Sequence, residues 1–191
     1  VVSVLIGFVL GIILALMRLG HNKLLHGLAV AYIEFIRGTP LMVQVMFVYF
    51  GIGAVIQSLP ALAAGIIAVS LNSGAYVAEV IRSGIESIAI GQTEAARSLG
   101  MSQKQTYQYV VIPQAIKNIW PALGNEFITL IKESSIVSVI GVGGLMYQTQ
   151  LVQSATYKGV APLAITMVIY FVLTFTLSKG LNYFEGKMKH E

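Results

Sequence analysis

Ionisable and amide side chains interrupt an apolar stretch in the second half of the sequence. Glu126, Thr129 and Glu133 follow one another at spacings of three and four residues, so a helix places them on one face. Asn125 and Lys132 share a neighbouring face of the same helix. Such a surface presents both charge signs, which suits a zwitterionic molecule such as an amino acid. The alternative is structural, with Lys132 and Glu133 neutralising each other or pairing with charges on another helix.

Two further groups of polar residues stand in an earlier apolar stretch. Asn72 and Ser73 precede Gly74, so polar side chains coincide with a position where another helix can approach closely. They would either line a polar path between helices or hydrogen-bond to a neighbouring helix. The other group has i,i+3 and i,i+4 spacings, which favour a structural ladder of ion pairs over transport chemistry. It comprises Glu79, Arg82 and Glu86.

Other chemistries lack the residues that they need. The 191 residues include no cysteine and no aspartate, so neither a thiolate metal site nor a Ser-His-Asp triad can be assembled. His21 and His26 are five residues apart, which does not align them on one helical face, and we predict no metal site. The sequence has no G-x-x-x-x-G-K-S/T loop, so we expect no cofactor on this chain and ATP hydrolysis on another subunit. We predict no catalytic residue.

The composition indicates that a lipid bilayer is the solvent for most of this chain. Hydrophobic residues make up 56% of it and charged residues only 10%, whereas a soluble domain carries about 25% charged residues. We predict a single all-α membrane domain over residues 1 to 191. The first span would be only about 26 Å long as a helix, so we expect further residues upstream of Val1. The five predicted spans are residues 1 to 19, 40 to 57, 61 to 82, 117 to 140 and 160 to 181.

Chain breaks and basic residues orient these spans. Residues 23 to 39 are of mixed polarity and are expected to lie at the membrane interface, with a break at Gly38-Thr39-Pro40. Lysine and arginine concentrate in the first and third connections and in the tail, which should therefore face the cytoplasm. Residues 57 to 60 and 141 to 159 then face outward, with the amino terminus outside and the carboxyl terminus inside. The glycines among residues 141 to 144 should end the fourth span and let the next residues fold back as an interfacial helix.

The third connection is patterned rather than loose. It opens with good helix formers, among which Ala95, Ala96 and Leu99 make a narrow apolar side. Gly100 stands where a left-handed helix end is favoured. A capping box then starts a second helix, which we expect Pro113 to close. The result is a helix, a glycine turn and a helix, suited to insertion into a groove on a partner protein or, alternatively, an ordinary amphipathic surface loop.

These residues resemble the signature of a known family. Their types and spacing are similar to the EAA signature of permeases from type I ATP-binding-cassette importers. The matching residues are Glu94, Ala95, Ala96, Gly100 and Pro113. Three other segments resemble the polar amino acid branch of that family, which includes permeases for glutamine, arginine, histidine and cystine. They are residues 32 to 41 (YIEFIRGTPL), 71 to 76 (LNSGAY) and 124 to 127 (GNEF).

The resemblance implies an importer subunit and its partners. It identifies residues 87 to 113 as a cytoplasmic EAA loop that docks into ATP-binding-cassette ATPase subunits, which would bind ATP and magnesium. It also implies a second permease copy or homologue, an extracytoplasmic amino-acid-binding protein or fused receptor domain, and membrane lipid, with no nucleic acid. The implied location is the cytoplasmic (inner) membrane of a bacterium. The alternative, a secondary amino acid transporter or channel-like subunit, would have no use for a docking loop.

Overall fold

The computed structural model describes residues 1–55 and 59–189, with side chains as far as residue 186. Every regular element in this part of the chain is helical, and two of the helices contain stretches of π or 3-10 geometry. In chain order the helices are α1 Val2–Leu19, α2 Lys23–Arg37, α3 Leu41–Val55, α4 Ala61–Glu86, α5 Ile90–Ser98, α6 Gln103–Ile140, α7 Leu145–Thr156 and α8 Val160–Lys189.

The lengths of these helices agree with a membrane domain. Three of them, α1, α4 and α8, are each long and apolar enough to cross a membrane. Two pairs pass the same test together but are bent, α2 with α3 by 104° and α6 with α7 by 49°. The described residues thus hold three candidate spans, or up to five if each bent pair is one span. The predicted outward turn at residues 57 to 60 includes residues 57 and 58, which lie outside the described part of the chain.

Glycines let α1 and α4 pack with their backbones close together. A Cβ atom added to Gly11 would lie 2.4 Å from Cγ1 of Val77, and one added to Gly7 would lie 2.6 Å from Oγ of Ser73. Both distances are shorter than any normal contact, so these two positions require glycine. Close packing matters here because apolar burial gives little driving force between helices that are surrounded by lipid. The small-xxx-small spacing of the first span thus holds the central helix pair together.

Side chains stabilise the break between α2 and α3. Pro40 is the N-cap residue of α3, where its missing N–H costs nothing, and Thr39 Oγ1 donates to a carbonyl of α2 at 2.9 Å. The amide of Gln44 reaches back and donates to the carbonyl of Ile36 at 2.7 Å. Asn72 of α4 in turn donates to Oε1 of Gln44 at 3.0 Å. The predicted break is therefore present, and a side chain of α4 helps to fix it.

The helix that starts at Gln103 continues into the predicted fourth span, because Pro113 does not end it. The capping box of Ser102 and Gln105 starts it as expected, with the backbone N–H of Gln105 donating to Ser102 Oγ at 3.3 Å. The chain then adopts π-helical geometry over Tyr107–Val111 and continues as an α-helix over Ile112–Glu133. Pro113 lies in the first turn after the π stretch, where the shifted hydrogen-bond register accommodates its missing N–H. The prediction that Pro113 closes the second helix is therefore wrong.

The other end of α6 follows the prediction. The helix tightens into 3-10 geometry over Ser134–Ile140 and stops at Gly141, whose φ of 82° is left-handed. The chain then turns, and α7 begins at Leu145. The glycine run therefore ends α6 as its composition predicted, while the interfacial position of α7 stays a prediction.

Candidate functional site

One crevice brings together polar residues from the two apolar stretches. It lies among α1, α4, α6 and α8, and its volume is about 340 Å³. Ser73 of α4 and Glu126 of α6 line it, and the other lining residues are apolar or aromatic. Ser73 is 1% exposed, and its hydroxyl has no hydrogen-bond partner in the described part of the chain. The crevice thus offers a carboxylate and an unsatisfied hydroxyl in apolar surroundings, an arrangement suited to holding a polar molecule.

The other predicted path residues do not line this crevice. Asn72 is buried and donates to Gln44, which is the interhelical role that the sequence offered as an alternative. Thr129 and Glu133 are half-buried, and Lys132 is exposed. Glu133 stands seven residues beyond Glu126, about 10 Å further along the helix, so it lies past the crevice.

The structural alternative for the two charges at the end of this stretch stays a prediction, since the charges of Lys132 and Glu133 interact without forming a close ion pair. Among the residues that the structure describes, no ion pair within 4.0 Å involves Lys132 or Glu133. A role for them in the path stays a prediction.

Glu79 is the centre of an ion-pair cluster that joins three helices. Arg82 of the same helix lies 2.5 Å from its carboxylate and also pairs with Glu86, so the predicted ladder is present. Arg18 of α1 and Arg37 of α2 approach the Glu79 carboxylate at 2.9 Å and 3.6 Å. The pairing of these two arginines with Glu79 was missed from the sequence, because they were used only to orient the membrane spans. The available signal was a lone arginine in the last turn of an apolar helix.

A Schellman motif closes the turn between α5 and α6. Gly100 has a φ of +84°, as predicted, and its N–H donates to the carbonyl of Arg97 at 3.0 Å. The N–H of Met101 donates to the carbonyl of Ala96 at 3.2 Å, which completes the motif. The guanidinium of Arg97 also donates to the Met101 carbonyl at 2.7 Å. The angle between the two helices therefore depends on a backbone conformation that glycine adopts without strain.

The three residues of the predicted apolar side of α5 differ in burial. Ala96 is 4% exposed because α5 packs against the start of α6, so this side chain contacts its own chain. The prediction of one apolar side made by Ala95, Ala96 and Leu99 is wrong in this respect, since successive residues point about 100° apart around a helix. Glu94 and Ala95 are exposed, and Leu99 is 84% exposed. The surface that α5 offers to a partner therefore includes Glu94, Ala95 and Leu99 but not Ala96.

The fold and the site together define a class of protein. The described helices form a bundle, and several of them are long enough to span a membrane. A crevice in this bundle holds a carboxylate, and the turn at Gly100 fixes the direction of α5. These features together indicate a membrane transport component. The comparison with known families is more specific. Residues 7–190 match the family described as binding-protein-dependent transport system inner membrane component, and the chain belongs to that family. It is therefore a permease subunit of a transporter whose ATPase is a separate chain.

Two relatives match over almost the whole chain. The probable glutamine ABC transporter permease protein GlnM of Bacillus subtilis (strain 168) is 42% identical over 182 residues, covering 95% of this chain and 84% of that protein. The arginine transport system permease protein ArtQ of the same organism is 43% identical over 190 residues, covering 99% and 87%.

Solved structures agree with the fold. A crystal structure of an amino acid ABC transporter with histidines is 50% identical and superposes with a TM-score of 0.92, covering 97% of this chain and 87% of that one. The inward-facing MetNI methionine ABC transporter, at 21% identity, has the same fold with a TM-score of 0.76. The predicted all-α permease fold is thus confirmed.

Proposed function

We propose that this chain is the permease subunit of an ATP-binding-cassette importer that carries polar amino acids across the bacterial cytoplasmic membrane. The observation that carries the proposal is the crevice that Glu126 and Ser73 both line, where the Ser73 hydroxyl has no hydrogen-bond partner among the described residues. The names of two relatives more than 40% identical specify glutamine and arginine, both zwitterions with polar side chains. A membrane bundle that passes such molecules needs polar groups inside apolar surroundings.

In this proposal the crevice is one stage of the substrate path. The Glu126 carboxylate attracts an ammonium or guanidinium group, and the Ser73 hydroxyl can donate or accept one further hydrogen bond. Thr129 and Glu133 extend the same side of α6 towards α7, and exposed Lys132 offers a positive charge to a carboxylate. Asn72 acts indirectly, because its bond to Gln44 fixes the start of α3 beside the path.

The energy comes from partner subunits in this proposal. Residues 87 to 113 dock into a cleft of an ATPase subunit, which binds ATP and magnesium, and Glu94 and Leu99 face that partner. Ala96, Gly100 and Pro113 contribute by shaping the loop. A second copy of this chain, or a similar permease, completes the membrane pathway. An extracytoplasmic binding protein or fused receptor domain delivers the amino acid, which the description of the family as binding-protein-dependent supports.

The orientation of the chain leads to a labelling prediction. Lysine and arginine mark residues 87 to 113, which we call the α5 loop, as cytoplasmic, so the amino terminus and α7 lie outside. Single cysteines at Ser98 and Ser154 should therefore react with an impermeant maleimide from opposite sides of the membrane. The two sites are matched, since both serines are exposed and each hydroxyl bonds only to the carbonyl four residues earlier. Labelling of both from one side would refute the orientation.

The crevice is tested by removing its charge while keeping its shape. Glu126→Gln should reduce the stimulation of ATP hydrolysis by L-arginine, relative to L-glutamine, by about tenfold or more. The reason is that a hydrogen bond to a charged group contributes about 1.5 to 3 kcal/mol. The measurement is amino-acid-stimulated ATPase activity of the complex reconstituted with its ATPase and binding protein.

A neighbouring amide provides the control for this experiment. Asn125 is exposed and does not line the crevice, so Asn125→Ala should leave the ratio between the two amino acids unchanged. An unaltered ratio in Glu126→Gln, with the complex intact, would remove Glu126 from the path. A wild-type complex that no polar amino acid stimulates would refute the proposed substrate class itself.

A further inference from the structure

A small cavity away from the Glu126 crevice is lined by five hydroxyl groups. Its volume is about 80 Å³, and it lies where the last part of α6 meets α7 and α8. A water molecule needs at least about 10 to 15 Å³ of such space, so the cavity has room for a small group such as a carboxylate. The hydroxyl-bearing residues are Ser134, Ser135, Ser138, Tyr147 and Tyr170.

Helix geometry brings two of these serines to the same side. Ser134–Ile140 is a 3-10 helix of 7 residues, whereas runs longer than about four residues are uncommon in this geometry. Residues three apart eclipse each other in a 3-10 helix, so Ser135 and Ser138 stand one above the other. In an α-helix they would be turned about 60° apart. The unusual conformation of this segment therefore aligns two hydroxyls beside the cavity.

Most of these hydroxyls have no hydrogen-bond partner in the described part of the chain. Ser134 donates to the carbonyl of a residue three earlier in α6, at 2.7 Å. The other four make no hydrogen bond to any residue that the structure describes. The lining includes no acidic or basic side chain, so no charge within it competes for these donors. A group with several acceptor sites and no proton of its own, such as a carboxylate, complements this surface.

A third space lies between the cavity and the crevice along α6. A space of about 270 Å³ shares Ser134 and Val137 with the cavity, and it shares Phe127 and Leu130 with the crevice. The three spaces therefore follow one another along the helix. The cavity adjoins α7, which the proposed orientation places on the outer side of the membrane.

We propose that this cavity binds the α-carboxylate of an amino acid at the outer end of the path. The inference rests on the proposed function and adds a second, earlier site to it. Ser135 stands nine residues beyond Glu126, about 13 Å along the helix, so one amino acid backbone does not span both. The Glu126 carboxylate also repels the substrate carboxylate, so this end is held away from Glu126, first by these hydroxyl donors and then by Lys132. The amino acid is thus held first by its carboxylate and then by its positive group.

Removing single oxygen atoms tests this site with little risk to folding. The variant Tyr147→Phe/Tyr170→Phe keeps both rings and removes both hydroxyls. Binding of radiolabelled L-arginine to the purified permease and ATPase complex, without receptor, is compared by equilibrium dialysis with binding of its decarboxylated analogue agmatine. We expect the affinity for L-arginine to fall by about tenfold or more and the affinity for agmatine to stay unchanged. Ser135→Ala/Ser138→Ala should behave in the same way.

Two further variants separate the possible outcomes. The control Tyr157→Phe changes a fully exposed tyrosine on the same side of the chain and should bind both ligands as the wild type does. Glu126→Gln should weaken the binding of agmatine. When Glu126→Gln is combined with the double tyrosine variant, the tyrosine changes should still lower the affinity for L-arginine. Unchanged binding in both double variants, or equal losses for L-arginine and agmatine, would overturn the carboxylate site while leaving the proposed function intact. A wild-type complex that neither binds nor transports any polar amino acid would overturn both.

Discussion

Replacing Glu79 with glutamine is expected to lower the free energy of unfolding of the membrane domain by about 3 kcal/mol. The change leaves Arg18 and Arg37 without the carboxylate with which both pair. Breaking a buried ion pair by removing one partner costs about 3 to 5 kcal/mol, and the partial exposure of these side chains, from 16% to 34%, favours the lower end. The fluorescence of Trp120, the one tryptophan in the sequence, reports unfolding in detergent.

The second carboxylate of the cluster supplies the control. Glu86 is 54% exposed and pairs with Arg82 alone in the described part of the chain, so Glu86→Gln should cost less than about 1 kcal/mol. Equal losses in the two variants would contradict a central role for Glu79. So would an Arg18→Gln variant that is as stable as the wild type, because Arg18 makes the shorter of the two ion pairs that other helices form with Glu79.

This cluster illustrates which contacts a sequence can predict. The pairing of Arg82 with Glu79 and Glu86 depends only on helix geometry, since residues three and four apart are neighbours on any helix. Arg18 is 61 residues from Glu79 in sequence, so their contact depends on how α1 packs against α4. That packing requires Gly7 and Gly11 to meet particular side chains. The small-xxx-small spacing of these glycines favours a close approach of helices but does not identify the side chains that they meet.

The polar residues of α6 show the same limit. Helical periodicity placed Glu126, Thr129 and Glu133 on one face, but a shared face extends along the whole helix. The crevice covers only the part where α1, α4 and α8 converge, and it therefore includes Glu126 and excludes Glu133. Ser73 joined this site because α4 presents it beside α6. Its neighbour Asn72 points elsewhere, towards Gln44.

Local motifs of the α5 loop were predicted more accurately. The left-handed Gly100 and the Ser102 capping box each involve hydrogen bonds within five residues, so residue types alone indicated them. Pro113 was misjudged because the π stretch before it shifts the hydrogen-bond register, and π geometry has no reliable sequence signal. The inward position of Ala96 depends on how α5 packs against α6, which composition does not reveal.

Replacing Leu99 with alanine is expected to weaken binding of the ATPase subunit by about 30-fold. Leu99 is 84% exposed, so its apolar surface gains burial only when a partner covers it. Removing most of a buried leucine side chain costs about 2 kcal/mol, which corresponds to this change in affinity. The permease itself should keep its stability, since the side chain contacts little of its own chain. Ala96→Trp is less informative, because it would overpack the loop internally and distort it before any partner binds.

Gly100→Val tests whether the direction of α5, rather than its exposed surface, is needed to couple ATP hydrolysis to transport. A β-branched residue at a φ of +84° is strained, so the variant should lose the Schellman turn and misdirect α5. Gly180→Val is the matched control, because Gly180 lies within α8 and a Cβ atom there would meet no other atom within 4 Å. We expect Gly100→Val to insert into the membrane but to hydrolyse ATP without substrate stimulation, while Gly180→Val stays coupled. If both Leu99→Ala and Gly100→Val retain the ATPase subunit and wild-type transport, coupling does not pass through this loop, and its geometry serves only to join α4 to α6.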